Sequence, residues 1–332
     1  MMEDLIEAFA VSQVTVQPNS TATEHPHFAL YKAKHSTVSQ EERRKKFLEA
    51  QRVKRYDYVS HARKLATNGF SDEEEEEENS EEMDVEAYVK KPPRSYKNQL
   101  MYSEWLVEIP SDLESQWFLM LCPVGKRCLV VSSGGNTKVF TKSGYRVNTF
   151  PSLLPGGNKS GGVRHAYCLL DCIFNEIDKT YYILDVMCWN SHPCFDSETE
   201  FRFFWINSKI EESAEVKVIS KRNPYKFIPL PFVKCDTDSI KNFLWSPLPF
   251  SCKLDGLLFY HKRTHYTPGT TPLVGWLKAY MVPELLNIEI PETLCSEKPV
   301  SYVSMRQHLP QAFEKHEERK KEDEKNMQYE DD

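Results

Sequence analysis

The feature that most limits what this chain can fold into is a charge reversal ahead of its apolar part. A basic stretch from Glu41 to Ala66 runs almost directly into Ser71-Asp72-Glu73-Glu74-Glu75-Glu76-Glu77-Glu78-Asn79-Ser80-Glu81-Glu82. Like charges at this density repel one another and offer too little apolar surface to offset chain entropy, so neither half can supply a core. They read as an interaction arm followed by a solvated linker.

The core must come from the remainder. The 332 residues are 40% hydrophobic and 12% aromatic, and all nine Cys and most Trp, Phe and Tyr lie beyond Leu100, which predicts one folded domain over about 95–300. The net charge of -7 conceals the opposition between arm and acidic segments, so it says little about partners. The scattered cysteines form no C-x-x-C pair and read as reduced core thiols. Cys168, Cys172, Cys188, His192 and Cys194 lack the spacing of a zinc site, so no metal is expected. No apolar run is long enough to span a bilayer, and the expectation is a soluble intracellular chain without a membrane partner.

At the N-terminus Met1, Leu5, Phe9 and Val11 fall to one side of a helix that turns extended at its end. Two readings stand: a short frayed helix, or a leucine-rich export signal whose anchors enter a groove on an exportin. Further on, Ser39 stands three residues before Glu42, a capping box that opens a helix. That helix carries Arg43, Arg44, Lys45, Lys46, Arg52, Lys54, Arg55, Arg63 and Lys64, with Phe47, Leu48, Tyr58, Ala62 and Leu65 as a thin apolar stripe. A stripe so narrow argues against docking into a hydrophobic core. Cations around a helix suit a receptor lined with carboxylates, a phosphate backbone, or plain solvent.

From Asn98 short β-branched and aromatic runs alternate with Gly, Pro and Asn clusters: Leu100 to Ile109, Trp117 to Pro123, Cys128 to Val131, His165 to Phe174, Thr180 to Trp189 and Leu254 to Tyr260. The pattern predicts antiparallel sheets, with a hairpin joining Cys168–Phe174 to Tyr181–Met187 through a turn at 175–179. Ser197 to Glu200 reads as a second capping box ahead of a helix over Phe201 to Ile210, and Asp236 to Leu244 as a further helix. The expected class is α+β, rich in antiparallel sheet.

Tyr31-Lys32-Ala33-Lys34 and Glu41-Glu42-Arg43-Arg44-Lys45-Lys46-Phe47-Leu48-Glu49 through Arg52-Val53-Lys54-Arg55 resemble the importin-β-binding arm of nuclear import adaptors. Asn98 to Leu106, Cys122 to Arg127, Thr141 to Tyr145, Ser152 to Asn158, Leu184 to Trp189, Asp255 to Lys262 and Thr271 to Leu277 resemble, in order, the snurportin family. The resemblance implies an export-signal-like segment at 1–14 and an importin-β-binding arm at 25–66, disordered alone and helical when bound. It further implies an acidic linker at 67–94, a guanylyltransferase-like cap-binding domain at 95–300 and a charged tail at 301–332. Lys32, Lys34, Arg43, Arg44, Lys45, Lys46, Arg52, Lys54, Arg55, Arg63 and Lys64 would contact importin-β, and Met1, Leu5, Phe9 and Val11 an exportin acting with Ran. The implied function is a cofactor-free import adaptor for spliceosomal U snRNAs and snRNPs, carried by their 2,2,7-trimethylguanosine cap and shuttling between cytoplasm and nucleus.

The chemistry of such a cap sets what a pocket must offer. Methylation at N7 makes the base cationic, so an aromatic face binds it with a cation-π contribution of roughly 1 to 2 kcal/mol. Two methyls on the exocyclic nitrogen remove both its donors, so a carboxylate there would reward the wrong ligand and an apolar wall is expected. By resemblance Trp276 stacks on the cap base, Trp105 belongs to the same pocket, Tyr102 closes the other side where the family has an aliphatic residue, and Ser103 makes a polar contact. Arg127 and Lys142 would face the triphosphate. Without the resemblance, the tryptophans read as core and the two cations as solvated strand surface.

Two other classes remain in view. Lys142, Asp185 and Asp255-Gly256-Leu257-Leu258-Phe259 are similar to elements of the guanylyltransferase enzymes, but their lysine nucleophile sits in K-x-D-G whereas this chain reads Lys142-Ser143-Gly144-Tyr145. The expectation is therefore a binding module and not an enzyme. A general RNA-binding protein that uses the basic arm is the third reading, marked by a steep salt dependence. Pro155 to Gly162 lacks the order of a phosphate-binding loop, and His261 and His265 have no partner carboxylate between them, so neither is assigned a catalytic role.

Overall fold

The computed structural model describes residues 39–54, 56–67, 95–159, 166–295, 298–300 and 302–308. The expectations placed on Met1, Leu5, Phe9, Val11, Lys32, Lys34 and Arg55, on the acidic run and on the tail beyond 308 lie outside the described residues; the start of the expected tail, 302–308, is instead packed on the domain, with Tyr302 and Met305 buried.

Ser39 caps the first helix, α1 (Gln40–Val53), by accepting a hydrogen bond from the Glu42 amide at 3.1 Å. The helix ends where Lys54 turns extended, and a second helix, α2 (Tyr58–Thr67), starts behind Asp57, whose Oδ1 accepts from Ser60 N at 2.9 Å. The arm is thus two helices with a corner, and the sequence signal for the corner is Asp57 in the N-cap position.

The domain is built from two facing sheets. The first runs β1 (Met101–Trp105), β12 (Gly269–Leu277), β11 (Leu254–His261), β2 (Trp117–Pro123), β10 (Phe232–Lys234). The second runs β5 (Arg146–Phe150), β4 (Asn136–Phe140), β3 (Lys126–Ser133), β6 (Tyr167–Asn175), β7 (Thr180–Trp189), β8 (His192–Pro193), with β9 (Lys226–Pro229) added along β7. Pairing is antiparallel except for β1 with β12 and β7 with β9. The predicted hairpin is β6–β7. Asn175 Oδ1 accepts from the amides of Ile177 and Asp178, and Asp178 Oδ1 from that of Thr180, which closes the turn.

One core lies between the sheets, where Phe118, Met120, Leu258 and Tyr260 of the first sheet face Leu129, Val131, Leu169 and Leu184 of the second; the alternate residues Trp117, Leu119, Leu121, Leu257 and Phe259 lie on the face toward the arm. A second lies on the far side of β3, β6 and β7, where Val130, Leu170 and Ile183 are covered by Ile206 and Ile210 of α3 (Thr199–Glu212). Burial on both faces is why β6 and β7 read as nearly continuous apolar runs. The helix α4 (Thr237–Trp245) starts on Asp236, whose Oδ1 accepts from Ser239 N, as the sequence predicts. The capping box expected at Ser197–Glu200 does not form: α3 begins after Glu198 with no side-chain cap, and the Ser197 carbonyl accepts from Arg202 instead.

The arm docks on this body, and the narrowness of its stripe proves a poor guide. Docking rests on α2, where Ala62 and Leu65 are fully buried and Tyr58 stacks on Phe195 at 4.8 Å, and on polar anchors from α1. Burying a leucine and forming one aromatic stack contribute roughly 2 and 1 kcal/mol.

Candidate cap pocket and arm interface

Strand β1 carries three of the expected pocket residues and lies at the edge of its sheet. Its parallel pairing with β12 sets Trp105 opposite Trp276, and the three residues Pro272–Val274 are absorbed in a bulge between Ser103 and Glu104. Register partners share a face, so the two indoles lie on one side of the sheet. Both are buried, as is Ser103. The Trp276 ring lies against β11 at Gly256, where an added Cβ would sit 2.4 Å from Cζ2. A side chain at 256 and the observed indole position exclude each other.

Cations lie over the aromatic rings of the site. The Lys278 ammonium sits 5.8 Å from the centre of the Trp276 ring and bonds Asp255 Oδ1 at 2.6 Å. The Tyr102 ring carries Lys142 Nζ at 4.5 Å and the Arg127 guanidinium at 5.2 Å. In the free chain these electron-rich faces are already paired with positive charge, the same interaction a cationic base would use. Sequence reasoning missed Lys278, although its position two residues after Trp276 was a usable signal.

Arg127 and Lys142 differ in what they can give an anion. Arg127 donates through Nε to Asp171 Oδ1 at 3.0 Å and through Nη2 to Asp171 Oδ2 at 2.7 Å and to the Met101 carbonyl. Tyr266 Oη donates to the same carboxylate and accepts from Met101 N, so Arg127 ties the second sheet to the start of β1. Asp171 largely cancels its charge. Lys142 is exposed, and its carbonyl accepts from Asn98 N at 3.0 Å, which fixes the β4–β5 turn against the entry to β1.

The arm covers the other end of β1. Arg43 donates to Glu104 from Nη1 to Oε1 at 2.7 Å and from Nη2 to Oε2 at 2.6 Å, with both side chains buried. Arg44 bonds Gln40 Oε1 and the Glu108 and Pro272 carbonyls, and lies over Trp117. Burial pulls its pKa below the ordinary arginine value, opposed by the nearby carboxylates. Gln40 Nε2 donates to the Trp105 carbonyl at 2.8 Å, and the Glu108 carboxylate accepts the amides of Gln40 and Glu41, a negative charge at a helix start. Gln51 pairs with Arg263 O and His265 N, and His61 meets Gln99 Oε1 at 2.9 Å. Of the arm cations assigned to the receptor, Arg43 and Arg44 are turned inward, while Lys45, Lys46, Arg52, Lys54 and Arg63 are exposed and Lys64 is half-buried. Glu104 and Glu108, which set this arrangement, were not singled out from the sequence.

The two carboxylates likened to enzyme elements in the sequence are engaged internally, Asp255 by Lys278 and Asp185 by Arg202. Asp185 is fully buried and receives Arg202 Nε and Nη2, each at 2.8 Å. Burial pushes the Cys168, Cys172 and Cys188 thiols above their ordinary values, so they behave as core residues.

Residues 99–279 match the family described as Snurportin1, m3G cap-binding domain, and residues 25–64 match the one described as Snurportin1, together more than half of the chain. Among solved structures, the ligase domain of M. tuberculosis LigD is 12% identical, covers 53% of this chain and 58% of its own, and superposes with a TM-score of 0.35. A structure of Lig E DNA ligases is 10% identical over 54% of this chain and 67% of its own, with a TM-score of 0.34. These likenesses are too distant to carry an argument.

Proposed function

The chain belongs to the Snurportin1 family, and from that premise we propose how its residues divide the work of an import adaptor that binds an m3G cap and is linked to importin-β. Trp276 is the stacking face for the trimethylated base, with Trp105 behind it, Tyr102 closing the pocket and Ser103 as a polar contact. Lys142 meets the triphosphate as an exposed cation. Arg127, held by Asp171, acts mainly by positioning β1. The observation that carries this reading is the Trp105–Trp276 register pair next to cation-covered aromatic rings.

Lys45, Lys46, Arg52, Lys54, Arg63 and Lys64 are the receptor-facing cations of the docked arm, and Arg43 and Arg44 join them once α1 leaves the domain. Importin-β therefore competes with Glu104 for Arg43. Lys32, Lys34 and Arg55 supply further positive charge to the same receptor. Return to the cytoplasm would use Met1, Leu5, Phe9 and Val11 on an exportin with Ran, giving a shuttling protein, with 67–94 as the linker between arm and domain. The reading is an adaptor and not an enzyme: the nucleophile element lacks its aspartate, and Asp185 is closed off by Arg202.

The test is a division of labour. Trp276→Ala should abolish cap binding and leave importin-β binding intact, and charge reversal at Lys45, Lys46, Arg52 and Lys54 should do the opposite. Loss of both partners in both variants would defeat it.

A further inference from the structure

One property of the sequence runs against its acidic balance. With 49 Asp and Glu in 332 residues, a stretch of 56 would hold about eight, yet 115–170 holds none. The described part of that stretch carries Lys126, Arg127, Lys138, Lys142, Arg146 and Lys159. It spans β2 to the start of β6, including β5, the edge of the second sheet. From outside the stretch Glu176 meets Lys126 at 3.6 Å and Asp171 meets Arg127, so the positive potential rests on Lys138, Lys142, Arg146 and Lys159, a spread of charge that suits a polyanion more than a single counter-ion.

The positive region has an aromatic at its outer end. Tyr145 is 73% exposed on the β4–β5 turn, between Lys142 and Arg146, both exposed. The turn is braced. Thr141 N donates to Tyr145 O, Gly144 N to Thr141 O, and Tyr145 N to Thr141 Oγ1. Gly144 has φ +83° and lies so close to the backbone of Lys97 that a Cβ would come within 2.8 Å of its amide nitrogen. Lys97 is itself exposed beside the turn. Arg146 is the register partner of Phe140, so it projects on the side where Tyr96 stacks on Phe140 at 3.9 Å. An exposed ring on a rigid turn has little ordering left to lose when a base stacks on it.

The turn is continuous with the pocket, because Lys142 reaches the Tyr102 ring from one end of it and Tyr145 stands three residues on. We propose that the β4–β5 turn is a second RNA-binding site, with Tyr145 as a stacking platform for a base and Lys97 and Arg146 as phosphate contacts, holding the nucleotides that follow the cap and the first transcribed residue. It rests on the reading of Tyr102 and Lys142 as part of the cap pocket. Charge and aromatic together favour single-stranded RNA over an acidic protein surface, which would need no stacking face.

The experiment compares three ligands on the full chain: a trimethylated cap dinucleotide, a capped single-stranded 8-mer and the same 8-mer uncapped, each titrated over a range of salt. The wild-type chain should bind the capped 8-mer more tightly than the dinucleotide. Tyr145→Ala should weaken the capped 8-mer roughly tenfold, the size of one base stack, and leave the dinucleotide unchanged. Lys97→Glu with Arg146→Glu should lower the slope of log affinity on log salt by about 0.7 for each phosphate no longer neutralised. Unchanged dinucleotide affinity also reports that the variants are folded. Equal wild-type affinity for dinucleotide and capped 8-mer would overturn the proposal while leaving the cap reading intact. Full 8-mer affinity in both variants would overturn it in favour of a protein contact. If the dinucleotide does not bind but the 8-mers do, and Tyr145→Ala weakens them, the cap reading fails and the turn site stands; if no ligand binds, both fail.

Discussion

Arg43 of the arm and Glu104 of the edge strand form a buried, bidentate ion pair one residue from Trp105, the neighbour of Trp276 across β1 and β12. An arm residue assigned to importin-β and the strand that carries the cap pocket therefore share one interaction. Removing one partner of such a pair leaves a desolvated charge alone and costs about 3 to 5 kcal/mol, most of it borne by the docked state.

The first prediction follows from that cost. Glu104→Gln should shift the arm towards its undocked form and raise apparent affinity for importin-β, since a partner that binds only the open form is weakened by the closed fraction; the gain is capped at the reciprocal of the native open fraction, roughly tenfold where one arm in ten is open. Hydrogen exchange over 40–53 should accelerate in parallel. Unchanged affinity and exchange would mean that the pair does not hold the arm.

Gly256 is the second. Gly256→Ala would place a methyl 2.4 Å from the Trp276 ring and 2.8 Å from the Leu277 carbonyl, so the indole must move. Overpacking of this kind costs about 1 to 3 kcal/mol, and cap affinity should fall with stability. Denaturant melts and cap titration of the same sample check both effects. Full affinity in the alanine variant would show that the indole position is irrelevant to the ligand.

The third concerns Asp185. Arg202 is fully buried and satisfies it from α3, with the Ser197 and Thr264 carbonyls and Thr199 Oγ1 taking the remaining donors. Arg202→Met should destabilise the domain by about 3 to 5 kcal/mol, and Arg202→Met with Asp185→Leu by much less, because the second change removes the stranded charge. Equal losses would contradict the ion-pair account.

The fourth is a pH dependence. Burial lowers the pKa of His261 from 6.5 to about 4, so the fold requires it neutral. Above pH 6.5 its contribution is complete. As pH falls below that value the unfolded chain binds a proton that the folded chain does not, and stability declines until about pH 4, by at most about 3 kcal/mol. His61, lowered by burial at the arm contact, acts in the same direction and should loosen α2 on acidification. Unfolding curves between pH 7 and 5 should slope downward in the native chain and less so in His261→Gln. Parallel curves would remove His261 from the account.

Much of the fold could be read from the sequence, because it rests on patterns local to a segment. Trp117 to Pro123 is a strand with the bounds its apolar run suggests, and Asp236 opens α4 as its residue type requires. Strand β5 escaped notice because an edge strand need not be apolar, and Arg146, Val147 and Thr149 face solvent; its neighbour β4 is only five residues long, with polar Asn136, Thr137 and Lys138 among them. The Ser197 box is not made because α3 begins only after Glu198, and the Ser197 carbonyl serves Arg202, which Asp185 of β7 holds in place, a tertiary partner with no local signature. For the pocket, Trp105 and Trp276 could be named only through resemblance, since 171 residues separate them and the parallel pairing that joins them has no short-range code. The docked arm was hidden for a related reason: its anchors are arginines and glutamines that find partners on β1 and beyond, and a count of apolar residues gives them no weight.

Selection of a trimethylated cap through Trp276 can be read from intrinsic tryptophan fluorescence while 2,2,7-trimethylated and 7-methylated cap dinucleotides are titrated into the full chain and into Trp276→Ala. Quenching should occur at lower concentration for the trimethylated ligand, and that binding should be lost in Trp276→Ala with an unchanged melting curve. Equal affinity for the two caps, or undiminished binding by the alanine variant, would contradict it.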